Sequence, residues 1–144
     1  MDAKPVIVGI DGSKDSGRAL KWAADYAQQV EAPLQALIAW EVSTLYGDTF
    51  SGKWDSTAVQ QKHREVVDKL VTETLGEGAQ VEVRVEEGNA SEMLVQASRD
   101  AQLLVVGSRG HGGFTGMLLG SVSQHLVTHA RCAVTVMPHE KVKK

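Results

Sequence analysis

Residues 103–113 read Leu103-Leu104-Val105-Val106-Gly107-Ser108-Arg109-Gly110-His111-Gly112-Gly113. The run Leu103–Val106 is apolar without alternation, which predicts a strand covered on both faces. Strands of that kind belong to parallel sheets wrapped by helices. Four glycines in the seven positions 107–113 end the run. In parallel sheets the loops beyond the carboxyl ends of strands are where ligands bind. Immediately upstream, Asn89-Ala90-Ser91-Glu92 predicts a helix start, with Asn89 as cap and Glu92 three residues on. Ala90, Met93, Leu94 and Ala97 make that helix's buried face. Before it, Val81, Val83 and Val85 alternate with Glu82, Arg84 and Glu86, the period of a half-exposed strand. Downstream, a helix from about Gly120 to Ala130 leads into a last strand, Ala133–Met137.

The first half repeats the alternation. Val6-Ile7-Val8-Gly9-Ile10 is a short strand cut off by Asp11-Gly12-Ser13. Ser13, Asp15 or Ser16 can cap the helix that follows. Leu20, Ala23, Ala24, Ala27 and Val30 recur at helical spacing, and Pro33 closes the segment. Leu34–Trp40 reads as a second strand. Ala58–Leu75 reads as a helix with Val59, His63, Val67, Leu70 and Val71 on one stripe, stopped by Gly76 and Gly78. The order β-α-β-α-β-α-β-α-β predicts an α/β fold, a doubly wound open sheet of five parallel strands. The long connection Ser43–Asp55 carries Tyr46, Phe50 and Trp54. Its aromatics either cover a ligand or partner or tuck onto the domain's own surface.

At 144 residues the chain is the size of one domain, taken as 1–144. Its net charge of −3 gives no bulk field to attract nucleic acid or an anionic membrane. Any bound anion is therefore held by local groups. A single cysteine, Cys132, excludes an intrachain disulfide and suits a reducing compartment. Only Arg131 nearby would lower its pKa, so it reads as a small packed residue. No apolar run approaches the ~18 residues of a membrane span. Met1–Pro5 has no signal-peptide plan, so a cytoplasmic location is expected. The basic tail Lys141, Lys143 and Lys144 reads as a solvated terminus.

The glycine-rich stretch has the chemistry of a polyphosphate site. Glycines let backbone approach an anion with no Cβ in the way. Successive N–H groups in tight turns form anion-binding concavities. The helix opening at Gly120-Ser121-Val122-Ser123 adds unpaired N–H donors and a partial positive charge of about half a unit. Ser121 and Ser123 add hydroxyls, and Arg109 and His111 can neutralise charge. The plain alternative is turn chemistry, which single glycines after a strand usually serve. For Asp11 it is an Asx turn capping the first helix, and both roles can hold together.

Known phosphate loops do not match. No lysine stands between Arg99 and Lys141, which excludes G-x-x-x-x-G-K-[ST]. Only Gly9 and Gly12 follow strand one, so the dinucleotide pattern G-x-G-x-x-G fails there. The pattern present is Gly107-x2-Gly110-x9-Gly120-Ser121. With Val8-Gly9-Ile10-Asp11-Gly12-Ser13, Leu103–Phe114 and Leu119–Ser123, it resembles the universal stress protein family, in its ATP-binding branch, over almost the whole chain.

That resemblance implies strand order 3-2-1-4-5, an adenine nucleotide alpha hydrolase-like arrangement. It implies ATP, with Mg²⁺, held at the ends of strands one and four. Gly9 and Asp11 would lie at the end of strand one, with Asp11 accepting from the ribose or facing the metal ion. Ala39 would offer its backbone to the adenine edge, and Gly107 would sit against the ribose. Arg109, Gly110, His111, Gly112 and Gly113, with Gly120, Ser121, Val122 and Ser123, would cradle the phosphates. A homodimer through the last strand is also implied. Arg131-Cys132-Ala133 departs from the family's frequent Pro-Cys-Pro, which puts the local turn in doubt.

The expected role is an ATP-binding stress-response sensor or regulator, not an enzyme with fast turnover. Slow hydrolysis, with Mg²⁺ and Arg109 stabilising charge, stays open. So does a nucleotide-free dimerisation module, although such family members typically lose the glycine pattern. Asp11–Ser16 matches only the end of the S-G-G-x-D-S loop of ATP pyrophosphatases. His125 and His129 stand four apart, but Leu126 occupies the position where a metalloprotease helix has Glu, so they read as helix-surface residues.

Overall fold

A computed structural model describes residues 3–41, 56–108 and 120–138. The Ser43–Asp55 connection with Tyr46, Phe50 and Trp54, and the tail lysines, lie outside the described residues. The elements are β1 Val6–Gly9, α1 Lys14–Gln29, β2 Leu34–Trp40, α2 Ser56–Leu75, β3 Glu82–Glu87, α3 Ala90–Ser98, β4 Leu103–Gly107, α4 Ser121–His129 and β5 Ala133–Met137. The strands form one sheet in the order β3-β2-β1-β4-β5, with every pairing parallel.

Strand periodicity divides the core. Val6, Val8 and Ile10 of the first strand segment face one layer, with Ala36 and Ile38 of β2, Ala19, Leu20, Ala23 and Ala27 of α1, and Val67 of α2. Ile7, Leu37, Leu104 and Val106 face the other, against Leu94 and Ala97 of α3 and Leu126 of α4. Both faces of β1 and β4 are buried, which is why those strands carry no polar alternation. The edge strand β3 is half-buried at its centre and exposed at both ends. It extends further toward its C-terminus than the valine alternation predicts. Gly88 (φ 145°) ends it, its N–H donating to Trp40 O at 2.7 Å.

Local sequence sets the helix ends. Ser13 caps α1, its side chain accepting from Ser16 N–H at 3.2 Å. Asn89 caps α3 in the same way, accepting from Glu92 N–H at 3.1 Å. At the far end of α1 a non-glycine residue, Glu31, takes a left-handed conformation (φ 54°). Its N–H donates to Gln28 O and the N–H of Ala32 to Ala27 O, the two bonds of a Schellman ending. Gly76 (φ 88°) ends α2.

Candidate functional site

The strand order reverses between β1 and β4, and the carboxyl ends of these strands open a crevice there. Gly9 closes β1. A Cβ at Gly9 would stand 3.1 Å from Val106 Cγ1 and 3.2 Å from Leu94 Cδ1, so packing under α3 explains its small size. Asp11 follows, exposed, with Oδ1 accepting from Ser13 N–H at 2.8 Å. This is the Asx turn that the sequence allows, and it leaves the carboxylate facing solvent with acceptor capacity to spare.

On the other side of the crevice, Gly107 closes β4. A Cβ there would lie 2.8 Å from Asp15 Cβ and 3.3 Å from the Asp15 backbone carbon. The first turn of α1 therefore presses directly on the end of β4. Asp15 is 5 % exposed in that contact. Its carboxylate stands 3.7 Å from Arg18 Nη1, and Arg18 also donates to Pro138 O at 2.7 Å, tying α1 to the end of β5.

Two hydrogen bonds fasten α4 to β4. The Gly120 N–H donates to Ser108 O at 2.5 Å, and Ser123 Oγ donates to Gly107 O at 2.6 Å. Ser123 is buried, so its hydroxyl proton is spent inside the fold and its oxygen can only accept. Ser121 is exposed, and Val122 packs against the α3–α4 core. Gly120 is the N-cap and supplies no capping side chain. The first intrahelical acceptor is Gly120 O, taken by Gln124 N–H at 3.0 Å. The N–H groups of Ser121, Val122 and Ser123 consequently have no acceptor inside the helix. Gly120 has φ −74° and ψ 170°, an extended conformation open to any residue.

Ala39 sits on β2 beyond the last β1–β2 hydrogen bond, Ile10 N–H to Leu37 O at 2.9 Å. Backbone groups of alternate residues in a strand point to the same neighbour. Leu37 points to β1, so Ala39 does as well, past the point where β1 has ended. Trp40 points to β3, where it accepts from Gly88. The register thus leaves the Ala39 amide on the crevice side.

Arg109, Gly110, His111, Gly112 and Gly113 lie outside the described residues. The other expected residues gather along the β1, β2 and β4 ends and the start of α4. Sequence reasoning missed Ser108. It is 3 % exposed, and its Oγ has no hydrogen-bond partner among the described residues. The clue was parity: Ser108 continues the face of Leu104 and Val106. Trp40 Nε1 is likewise buried without a partner, while the ring stacks on His63 at 5.9 Å.

Cys132 is half-buried, and its Sγ lies 3.3 Å from Ala133 O. Burial pushes its thiol pKa up, against smaller lowering effects from the Leu104 backbone and Lys4. This agrees with a packed thiol. A separate cavity of about 380 Å³ lies beneath α3, lined by Ile7, Gln35, Arg84, Glu86, Met93 and Asp100 among others. Its Arg84 is already bonded to Gln35 at 3.1 Å and Glu86 at 3.2 Å. No helix among the described residues is long and apolar enough to cross a membrane.

The Universal stress protein family matches residues 3–138. The Mycobacterium tuberculosis universal stress protein Rv2005c is 42 % identical over 137 residues, covering 92 % of this chain and 44 % of that protein. The chain thus spans about half the length of the curated relatives it matches. The solved structure of hypothetical protein MJ0577 superposes with a TM-score of 0.80 at 17 % identity, covering 99 % of this chain and 100 % of the other. A universal stress protein solved in complex with cAMP superposes with a TM-score of 0.63 at 27 % identity, covering 95 % of this chain and 98 % of the other.

Proposed function

Since the chain belongs to the universal stress protein family, we propose that it is a cytoplasmic, ATP-binding regulator whose state follows the bound nucleotide. Residues 1–144 act as one domain in this reading. The observation that carries it is the start of α4. The helix start, whose N–H groups at 121–123 have no acceptor inside the helix, is fastened to the end of β4 and to the backbone of Ser108, whose buried hydroxyl has no partner among the described residues. That combination suits an anion, and the cAMP complex of a similar protein supports an adenine nucleotide.

The donor set fits Mg-ATP as follows. Ala39 offers its amide to the adenine edge, and Asp11 accepts from the ribose or faces the cation. Gly107 stands beside the ribose, while Gly110, Gly120, Ser121 and Val122 hold the phosphates. Arg109, His111, Gly112 and Gly113 complete the phosphate loop. Bound ATP supplies phosphates that complement those N–H groups, and Mg²⁺ offsets their charge near Asp11. No residue in this set is an obvious general base, which favours regulation over rapid turnover. The proposed assembly is a homodimer through β5, without nucleic acid or membrane as partner.

A ligand that binds only the folded state stabilises it by about 2.7 kcal/mol at a hundredfold excess over its Kd. ATP with Mg²⁺ is therefore expected to raise the melting temperature. Gly120→Val should abolish that rise and still fold, because its backbone angles suit valine. An unshifted wild-type protein at millimolar ATP, or an equal shift in the variant, would overturn the reading. Mass spectrometry of co-purifying nucleotide separates ATP from AMP and from the nucleotide-free alternative.

A further inference from the structure

We propose that His125 and His129 form a two-histidine site for a divalent transition-metal ion that takes ligands at right angles, Cu²⁺ or Ni²⁺. The two residues stand four apart on α4 and share one exposed face. Their ring centroids are 4.5 Å apart with planes at 42°. Metal–imidazole bonds are about 2.0–2.1 Å, and a ring centre lies about 1.1 Å behind its donor nitrogen. Two such ligands at about 90° put their centroids about 4.5 Å apart, whereas a tetrahedral angle puts them about 5.2 Å apart. A separation of 4.5 Å lets both rings reach one ion at cis positions.

The helix end adds to the case. His129 lies in the last turn of α4, where partial negative charge gathers on unpaired carbonyls and favours a bound cation. His129 stands at the end of α4 away from Gly120, and His125 lies between it and Ser121, one turn from each. Water would complete the coordination shell.

The test is calorimetric titration of untagged protein with NiCl₂, an ion that leaves Cys132 unoxidised. Wild type is expected to bind one Ni²⁺ per chain. His125→Ala and His129→Phe should each bind at least tenfold more weakly. His129→Phe keeps an aromatic ring in contact but has no donor nitrogen, so it separates chelation from stacking. Both helix substitutions are at exposed positions, and circular dichroism checks that the fold is kept. Equal affinity in wild type and the two helix variants would overturn the site. Tighter binding of Zn²⁺ than Ni²⁺ would overturn its right-angled geometry.

Discussion

A buried hydroxyl left without a hydrogen bond costs about 1–3 kcal/mol, and Ser108, at the end of β4, has no partner for its hydroxyl among the described residues. Ser108→Ala is therefore expected to raise stability in urea denaturation while shrinking the thermal shift with Mg-ATP. An undiminished shift in the variant would separate Ser108 from the ligand. The two strand-ending glycines divide by what they touch. A Cβ at Gly107 meets the backbone and Cβ of Asp15, which cannot swing away. Gly107→Ala should cost about 1–3 kcal/mol as overpacking. At Gly9 the neighbours are the ends of Val106 and Leu94 side chains, which can yield, so Gly9→Ala should cost less. The same denaturation series ranks them. The presence of both glycines was legible in the sequence, and their reason was not. Asp15 and Gly107 meet only through the sheet, and local reading has no access to that contact.

Helix boundaries show where local code suffices. Asn89 is a cap in the sequence and in the structure, and of the candidates Ser13, Asp15 and Ser16 the structure takes Ser13, because the bond that makes a cap spans only three residues. The end of α1 is different. Glu31 occupies a left-handed position that favours glycine, and nothing in its side chain announces this. A non-glycine residue there is strained by about 1–2 kcal/mol. Glu31→Gly is expected to stabilise the protein by about 0.5–1 kcal/mol, once glycine's larger entropy loss is counted. Thermal unfolding checks it; a lower melting temperature would show that Glu31 carries a compensating contact. Apolar patterning gave the strands and helices, as a continuous run where both strand faces are buried and as a period where one face is. It did not give the neighbours of each strand. The order 3-2-1-4-5 came only from the family the chain resembles, because pairing β1 with β4 joins segments distant in the chain.

At the scale of the whole molecule, the two sheet edges differ. β3 carries Glu82, Arg84, Glu86 and Glu87, charges that discourage a further strand. β5 is Ala133-Val134-Thr135-Val136-Met137, with no charge at all. If a second copy pairs there as proposed, the outward N–H groups carry the contact. Met137 O accepts from Ser108 N–H, so residues 133, 135 and 137 point to β4, and Val134 points outward. Val134→Pro should then turn a dimer of 15.5 kDa chains into a monomer by light scattering and leave the β4 ladder paired. An unchanged dimer would place the interface elsewhere. One further property follows from the all-parallel sheet. Lys14, Ser56, Ala90 and Ser121 each begin a helix after a strand has ended, so every helix among the described residues starts at the same rim of the sheet. Each contributes about half a positive charge to that rim and an equal negative charge to the opposite one. These aligned helix dipoles favour an anion at the crevice rim in spite of the net charge of −3, and in dilute salt they orient its approach. At physiological ionic strength this orienting reach contracts to about 8 Å, so salt would slow capture far more than it would hasten release.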